Sequence, residues 1–203
     1  FDSTFAFYNI QCTSHAALAE NTRDWGGLPF LRAAQLDAYY KIPNSYLIST
    51  IDVGYRLRPL DEPEEDYAHT FNKWTIGQRA AHIALARYYE EPGYQYEYVS
   101  CPIPEKVTWY DDYVLIDFKN VGDGLKAYDG ELIGFKILQA GKRLAATNAS
   151  ILDKDTVRIN LRDVTGEISD VCYYAIEHSA LLEEANLVNS SNIPCPTFCF
   201  YRK

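Results

Sequence analysis

Apolar and polar positions divide the chain into two parts, and the first part alternates between strand-like and helix-like patterns. The apolar run FAFYNIQC (residues 5–12) predicts a short buried strand. In the segment that follows, apolar residues recur at helical spacing after Pro29, a residue type favoured in the first turn of a helix. A second apolar run, SYLISTIDVGY (residues 45–55), predicts another buried strand.

A longer helix is predicted after the polar loop that follows this second strand. Thr70 or Asn72 is suited to cap its first turn, because either side chain can accept a hydrogen bond from a free backbone N–H group. The order strand, helix, strand, helix is typical of a parallel α/β layer. Because two strands are too few for such a sheet, we predict that residues 1–92 are the C-terminal part of a larger α/β domain.

From residue 93 onward the pattern changes to short strand-like runs separated by Gly, Asp and Asn turns. Several of these runs alternate apolar and polar residues, as strands with one buried face do. The predicted strands are YEYVSC, KVTWY, YVLIDFK, LIGFKIL, TVRINL and VCYYAI. We therefore predict an all-β sandwich domain over residues 93–203.

The composition of the 203-residue chain excludes several classes of protein. With 47% apolar residues the chain can build a core, which argues against disorder, and its formal net charge of -9 argues against nucleic-acid binding. No apolar run approaches the length of about 18 residues that a membrane-spanning helix needs. The chain begins at Phe1 and contains no methionine, which favours a processed, trimmed or incomplete gene product.

The cysteines and histidines form no metal-binding signature. The five cysteines follow no metal-type repeat and are interpreted as mostly buried thiols: Cys12, Cys101, Cys172, Cys195 and Cys199. This favours a reducing, cytoplasmic compartment slightly, and a secreted or periplasmic location stays open. No pair of histidines has zinc spacing, so we expect neither a metal nor a cofactor.

The pair Asp66 and His69 is the strongest candidate for a catalytic acid and base. A serine hydrolase needs an imidazole to accept the proton of the nucleophile and an acid to orient that imidazole. An acid three residues before a histidine can fold back on it where the chain turns before a helix. Read alone, the same pair is more often polar residues of a solvated loop. No Gly-x-Ser-x-Gly nucleophile motif accompanies it.

A second polar pair, Arg32 and Gln35, lies three residues apart on one face of the first predicted helix. Such a pair can hold a loop of a site or contact a substrate. An amphipathic helix also often carries such residues on its solvent-facing surface for solubility. Spacing alone favours the solubility interpretation.

The order of motifs in the first part resembles the end of the catalytic domain of sialate O-acetylesterases, carbohydrate esterases of the SGNH hydrolase superfamily. The matching segments are FYNIQ, LPFLRAAQL, IPNSYLISTIDVG and HTFNKWTIGQRAAHIALARYY. The positions that match the family pattern, in order, are Gln11, Arg32, Gln35, Pro43, Asn44, Asp52, His69, Asn72, Lys73, Gly77 and Arg79. The β segments GELIGFKIL, DTVRINL, VCYYAI and ANLVNSSNIPCPTFCF resemble the closing β domain of that family.

The resemblance implies a flavodoxin-like α/β domain that removes O-acetyl groups from sugars by a serine and histidine mechanism. His69 would be the base and Asp66 its orienting acid, with Glu65 as the alternative acid. Gln11, Arg32 and Gln35 would support the site or bind substrate. The proline that follows the histidine in that family is Thr70 here, which leaves the local turn open.

The family's serine and oxyanion segments lie upstream of the matching region. We therefore expect this chain to supply the histidine while an N-terminal portion of the same gene product supplies the serine, and we expect the chain alone to be inactive. The alternative is a non-catalytic carbohydrate-binding or interaction module. The feature that favours it is the β region, which is rich in tyrosine. The sequence leaves the acetylated sugar open.

Overall fold

The computed structural model describes residues 5–13, 28–53, 70, 72–139, 142–145, 148–161, 168–175 and 182–201. In the first part of the chain, the described residues form two strands, two longer helices and a short 3₁₀ turn after the second strand. These elements are β1 (Phe7–Ile10), α1 (Leu28–Lys41), β2 (Ser45–Ile48), the 3₁₀ turn Ile51–Val53 and α2 (Lys73–Arg87).

Strands β1 and β2 form a two-stranded parallel sheet, with Phe7 opposite Ser45 and Ile10 opposite Ile48. Helix α1 connects them and contacts β2, and α2 contacts β2 as well. Pro29 is the second residue of α1, where its missing N–H group costs no helical hydrogen bond. The predicted parallel α/β layer is therefore confirmed as a small parallel sheet with its helices.

The start of α2 is fixed by a side-chain cap. The Oδ1 atom of Asn72 accepts a hydrogen bond from the backbone N–H of Thr75 at 3.2 Å, so Asn72 is the cap among the two predicted candidates. Ile83 is the buried residue of the helix and is 1% exposed. The predicted helix is confirmed, with its apolar face toward the sheet layer.

The described elements of the rest of the chain are antiparallel strands, apart from one helical turn. They are α3 (Tyr96–Val99), β3 (Ile103–Trp109), β4 (Tyr113–Lys119), β5 (Lys126–Ala127), β6 (Phe135–Gln139), β7 (Lys142–Ala145), β8 (Ala149–Ile151), β9 (Thr156–Asn160), β10 (Ile168–Tyr174), β11 (Leu187–Val188) and β12 (Phe198–Tyr201). One four-stranded sheet has the order β3-β4-β9-β8 and the other has the order β12-β10-β6-β7, while β5 and β11 form a small pair.

One hydrophobic core joins the two antiparallel sheets and the α/β layer. Ile116 of β4 and Ile137 of β6 are both fully buried in it, and the rings of Phe118 and Phe198 lie 6.3 Å apart between the sheets. Leu36 of α1 belongs to the same buried cluster. The core thus crosses residue 92, and the division into domains 1–92 and 93–203 stays a prediction.

The predicted strand YEYVSC is wrong, because Tyr96–Val99 form one helical turn. The guanidinium of Arg87 lies 4.0 Å from the centre of the Tyr96 ring, and the Tyr46 ring lies 5.9 Å away. A single turn of helix can bury an aromatic ring against these neighbours as well as a strand can. Apolar periodicity over so few residues does not distinguish the two.

Within the described ranges, no helix is both long enough and apolar enough to cross a membrane.

Candidate active site

The carboxyl end of β1 is built around Gln11, which is fully buried. Its backbone N–H donates to the carbonyl of Ile48 at 3.0 Å, which extends the parallel ladder beyond the strand. Its side-chain Nε2 donates to the carbonyls of Arg32 at 2.8 Å and Thr197 at 3.2 Å, and its Oε1 accepts from the Thr197 N–H at 3.0 Å. The carboxamide therefore joins β1, α1 and the segment before β12.

Arg32 makes a second connection between α1 and the β region. Its Nε donates to Thr197 Oγ1 at 3.0 Å and its Nη2 donates to the carbonyl of Ala175 at 3.3 Å. The side chain is fully buried. Burial lowers the pKa of the Arg32 guanidinium to about 10, an effect that the neighbouring Cys12 opposes. The group stays positively charged at neutral pH and its described contacts are structural.

Gln35 occupies the edge of β1 that faces away from β2. The backbone N–H of Gln11 points toward β2. The backbone N–H and C=O groups of successive residues in a strand point to opposite edges. The carbonyl of Ile10 and the N–H of Cys12 therefore lie on the outer edge. Gln35 donates from Nε2 to the Ile10 carbonyl at 2.7 Å and accepts at Oε1 from the Cys12 N–H at 2.8 Å. Its carboxamide thus takes the place of a neighbouring strand at this point.

An ion pair ties α2 to the turn that follows β2. Arg79 donates from Nη1 to Asp52 Oδ1 at 2.7 Å and to the carbonyl of Ser49 at 2.8 Å, and its Nη2 pairs with Asp52 Oδ2. The two side chains are 11% and 18% exposed. A bidentate arginine–carboxylate pair of this kind constrains the relative positions of α2 and the turn more firmly than a single contact between point charges does.

Thr70 holds the chain at the point where it approaches α2. Its hydroxyl donates to the carbonyl of Val53, at the end of the 3₁₀ turn, and accepts from the N–H of Asn72 at 3.1 Å. Thr70 is 7% exposed. These bonds tie the chain before α2 to the 3₁₀ turn through the threonine hydroxyl.

The histidine and its candidate acids lie outside the described residues. His69, Asp66 and Glu65 fall in the range 54–69, so the predicted pair stays a prediction. The structure brings Gln11 and Arg32 together at Thr197, and it places Gln35 on the adjoining edge of β1.

Three serines of the described residues are buried away from solvent. Ser45 is 8% exposed, Ser49 is fully buried and Ser100 is 2% exposed. Burial also raises the pKa of the Cys101 thiol to about 12 and that of Cys195 well above its usual value. In the described ranges, no group of three or more His, Cys, Asp or Glu residues is arranged to hold a metal ion.

Sequence reasoning missed Thr197 and the carbonyl of Ala175, which complete the contacts of Gln11 and Arg32. Thr197 lies 165 positions from Arg32 along the chain, so no local spacing connects them. The only signal was the resemblance of its segment to the closing β segment of a known family.

Known proteins resemble this chain in structure. No family model and no curated protein matches the chain. Among solved structures, the chain is similar to the crystal structure of a novel carbohydrate acetylesterase from Xanthomonas citri, with a TM-score of 0.75 and 22% sequence identity. The match covers 98% of this chain and 42% of that one, so the chain spans less than half of that protein. The likeness establishes the fold that the two share.

Proposed function

We propose that this chain is part of a carbohydrate O-acetylesterase, a serine-type carboxylic ester hydrolase that removes acetyl groups from sugars. The observation that carries the proposal is the fold likeness, over 98% of the chain, to a protein described as a carbohydrate acetylesterase. The ordered sequence motif of sialate O-acetylesterases supports the same reaction class. On this proposal residues 1–92 belong to a flavodoxin-like SGNH hydrolase domain and residues 93–203 to a β-sandwich domain.

In the proposed reaction His69 is the general base. It accepts the proton of a serine hydroxyl as the serine oxygen attacks the acetyl carbonyl, and it returns that proton to the sugar oxygen that leaves. Water then attacks the acetyl-serine, His69 again accepts a proton, acetate leaves and the serine hydroxyl is restored. Asp66, or Glu65 in its place, would orient the imidazole and stabilise its protonated form.

The bonds around Thr70 support this role for the residue that precedes it. The Thr70 hydroxyl is tied to the Val53 carbonyl, and Arg79 ties Asp52 of the same turn to α2. Sites in open α/β sheets lie at the carboxyl ends of the strands, and the Ile51–Val53 turn directly follows β2. On this proposal His69, which directly precedes Thr70, would lie near the carboxyl ends of the strands.

We propose that Gln11, Arg32 and Gln35 support the site through position and not through contact with substrate. The carboxamides of Gln11 and Gln35 and the guanidinium of Arg32 are bonded to backbone and hydroxyl groups of this chain. They hold the end of β1 against α1 and against Thr197. If the loss of these contacts displaced the catalytic groups by about 1 Å, turnover would fall.

The serine would come from an N-terminal portion of the same gene product. Within the described residues, β1 pairs only with β2, and Phe7 and Ile10 on it are 42% and 46% exposed. Apolar side chains on a parallel strand are normally covered on both faces. We propose that elements of the N-terminal portion cover them. Because the serine would lie in that portion, this chain alone would be inactive.

The protein translated from the complete coding sequence, here called the complete protein, tests the proposal. It should hydrolyse nitrophenyl acetate and release acetate from an acetylated polysaccharide, and residues 1–203 alone should do neither. Acetate release by residues 1–203 alone would contradict the proposal that the catalytic residues are divided between this chain and an N-terminal portion. Saturable glycan binding by the complete protein without any hydrolysis would favour the non-catalytic binding module instead.

A further inference from the structure

A cleft of about 510 Å³ lies between β3 and β12. It is lined by residues 105–109 of β3 and by Phe200 and Tyr201 of β12. Among the described strands, each of these two is the outermost of its four-stranded sheet. The volume is within the range of about 300–1,000 Å³ that is typical of ligand sites.

The cleft follows the edge of β3 and not its face. Successive side chains of a strand point to opposite faces, so a pocket on a face would be lined by alternate residues. Here five successive residues, 105–109, line the cleft. The backbone edge of β3 is therefore exposed to whatever occupies the space, together with side chains from both faces.

The floor of the cleft is aromatic and its rim is polar. Val107, Trp109 and Phe200 are half-buried and pack against the core that the sheets share. At the rim, Tyr201 is 65% exposed, and Lys106 is also exposed. Aromatic surface beside hydrogen-bonding groups suits a ligand that has both apolar faces and hydroxyl groups, as a pyranose ring has.

An added peptide strand fits this edge poorly. Pro104 has no N–H group to donate, and the pairing with β4 shifts register between Pro104 and Lys106. Glu105 and Lys106 place charges on the same edge. Proline, a bulge and charged side chains are the features by which natural edge strands resist pairing with another strand.

The charges around the cleft favour an uncharged ligand. Lys106 is one cation, and the Glu105 carboxylate is an anion that lies 3.5 Å from the Lys119 ammonium. The two charged residues of the described lining, Lys106 and Glu105, have opposite signs, and the whole chain has a net charge of -9. This lining therefore offers a polyanionic glycan no cluster of cations to bind, whereas a neutral glycan needs none.

We propose that the cleft between β3 and β12 binds an uncharged polysaccharide chain, with the rings of Trp109 and Tyr201 against its pyranose faces. The choice of glycan rests on the proposed function, and it narrows the substrate class to neutral acetylated polysaccharides in preference to sialic acid. The cleft would hold the polymer while the esterase site removes its acetyl groups.

The test measures binding without turnover, by isothermal titration of the complete protein carrying His69→Ala with xylan and with polygalacturonate. Xylan should bind saturably and polygalacturonate should bind at least about tenfold more weakly. Tyr201→Ala should weaken xylan binding about tenfold, the loss typical of one aromatic anchor. Tyr201→Phe should retain affinity, and the matched control Tyr128→Ala, at a ring that is 54% exposed outside the cleft, should not change it.

Unchanged xylan affinity in Tyr201→Ala would overturn the proposal, as would equal binding of polygalacturonate. An absence of xylan binding in a complete protein that hydrolyses nitrophenyl acetate would overturn this site and leave the esterase standing. Conversely, xylan binding that depends on Tyr201, in a protein without hydrolysis, would support the cleft and refute the proposed function.

Discussion

The guanidinium of Arg79 holds the carboxylate of Asp52 in a two-point pair, with Nη1 at 2.7 Å from Oδ1 and also at 2.8 Å from the Ser49 carbonyl. Arg79 comes from the second turn of α2, and Asp52 comes from the 3₁₀ turn after β2. The pair therefore ties α2 to the end of β2, and residues 54–69, which contain His69, lie between these two elements in the sequence. The substitutions considered next are made in the complete protein.

Arg79→Leu should reduce the free energy of unfolding by about 2 kcal/mol, because it leaves the Asp52 carboxylate unpaired in a largely buried position. Arg79→Lys should recover part of the loss, since an ammonium retains the charge but not the fork. Urea unfolding measures both. Asp111→Asn, at an exposed acid, is the control and should stay within about 0.5 kcal/mol of wild type. A loss in Arg79→Leu no larger than in this control would show that the pair contributes nothing.

Thr197→Val should destabilise the protein by about 2 kcal/mol, since it removes the acceptor for Arg32 Nε and the donor to the Ala175 carbonyl inside a buried network. Valine has nearly the same shape, so packing is retained. Thr197→Ser retains the hydroxyl and should restore most of the stability in the same unfolding experiment. A loss of stability in Thr197→Ser with none in Thr197→Val would mean that the methyl group matters and the hydrogen bonds do not.

The buried thiols should be unreactive in the folded protein. Burial raises the pKa of Cys101 to about 12, so at pH 8 only on the order of one molecule in 10⁴ carries the reactive thiolate. Iodoacetamide followed by peptide mass mapping should label Cys12, which is partly exposed, well before Cys101 and Cys195. After denaturation all of them should react. Early labelling of Cys101 in folded protein would contradict its described burial.

The orienting acid can be identified by comparing Asp66→Asn with Glu65→Gln. Both replacements keep size and remove charge, so only the true partner of His69 should lose a large part of kcat, on the order of 10⁴ where an orienting aspartate fixes the tautomer. We expect that loss in Asp66→Asn and at most a few-fold change in Glu65→Gln. The reverse result would assign the role to Glu65, and two small effects would remove the acid from the mechanism.

The elements that sequence predicted correctly are those whose signals are local. Pro29 and Asn72 mark helix starts through backbone chemistry of their own turns, and the alternation in β4 follows from one buried face. The strand predicted at Tyr96–Val99 was wrong because apolar periodicity over four residues does not distinguish a strand from a helical turn, and the contacts of Tyr96 with Arg87 and Tyr46 come from residues elsewhere in the chain.

The polar contacts of the candidate site are also hard to predict from the sequence, because they join residues that are far apart in the chain. Gln11 and Arg32 were identified by resemblance, but their partner Thr197 is reached only through the tertiary fold. The cleft between β3 and β12 likewise depends on which strands become the outermost ones. Strand order is a global property, and apolar alternation within each strand does not encode it.

The central claim is that His69 is the base of an acetyl esterase. The most direct measurement is kcat/KM for nitrophenyl acetate in the complete protein with His69→Ala, with His82→Ala as the matched control. His82 lies on α2 with its ring 5.1 Å from that of Tyr94, and its removal should change the rate only a few-fold. His69→Ala should lower the rate by about 10⁴ or more. A His69→Ala protein with near-wild-type activity would contradict the account.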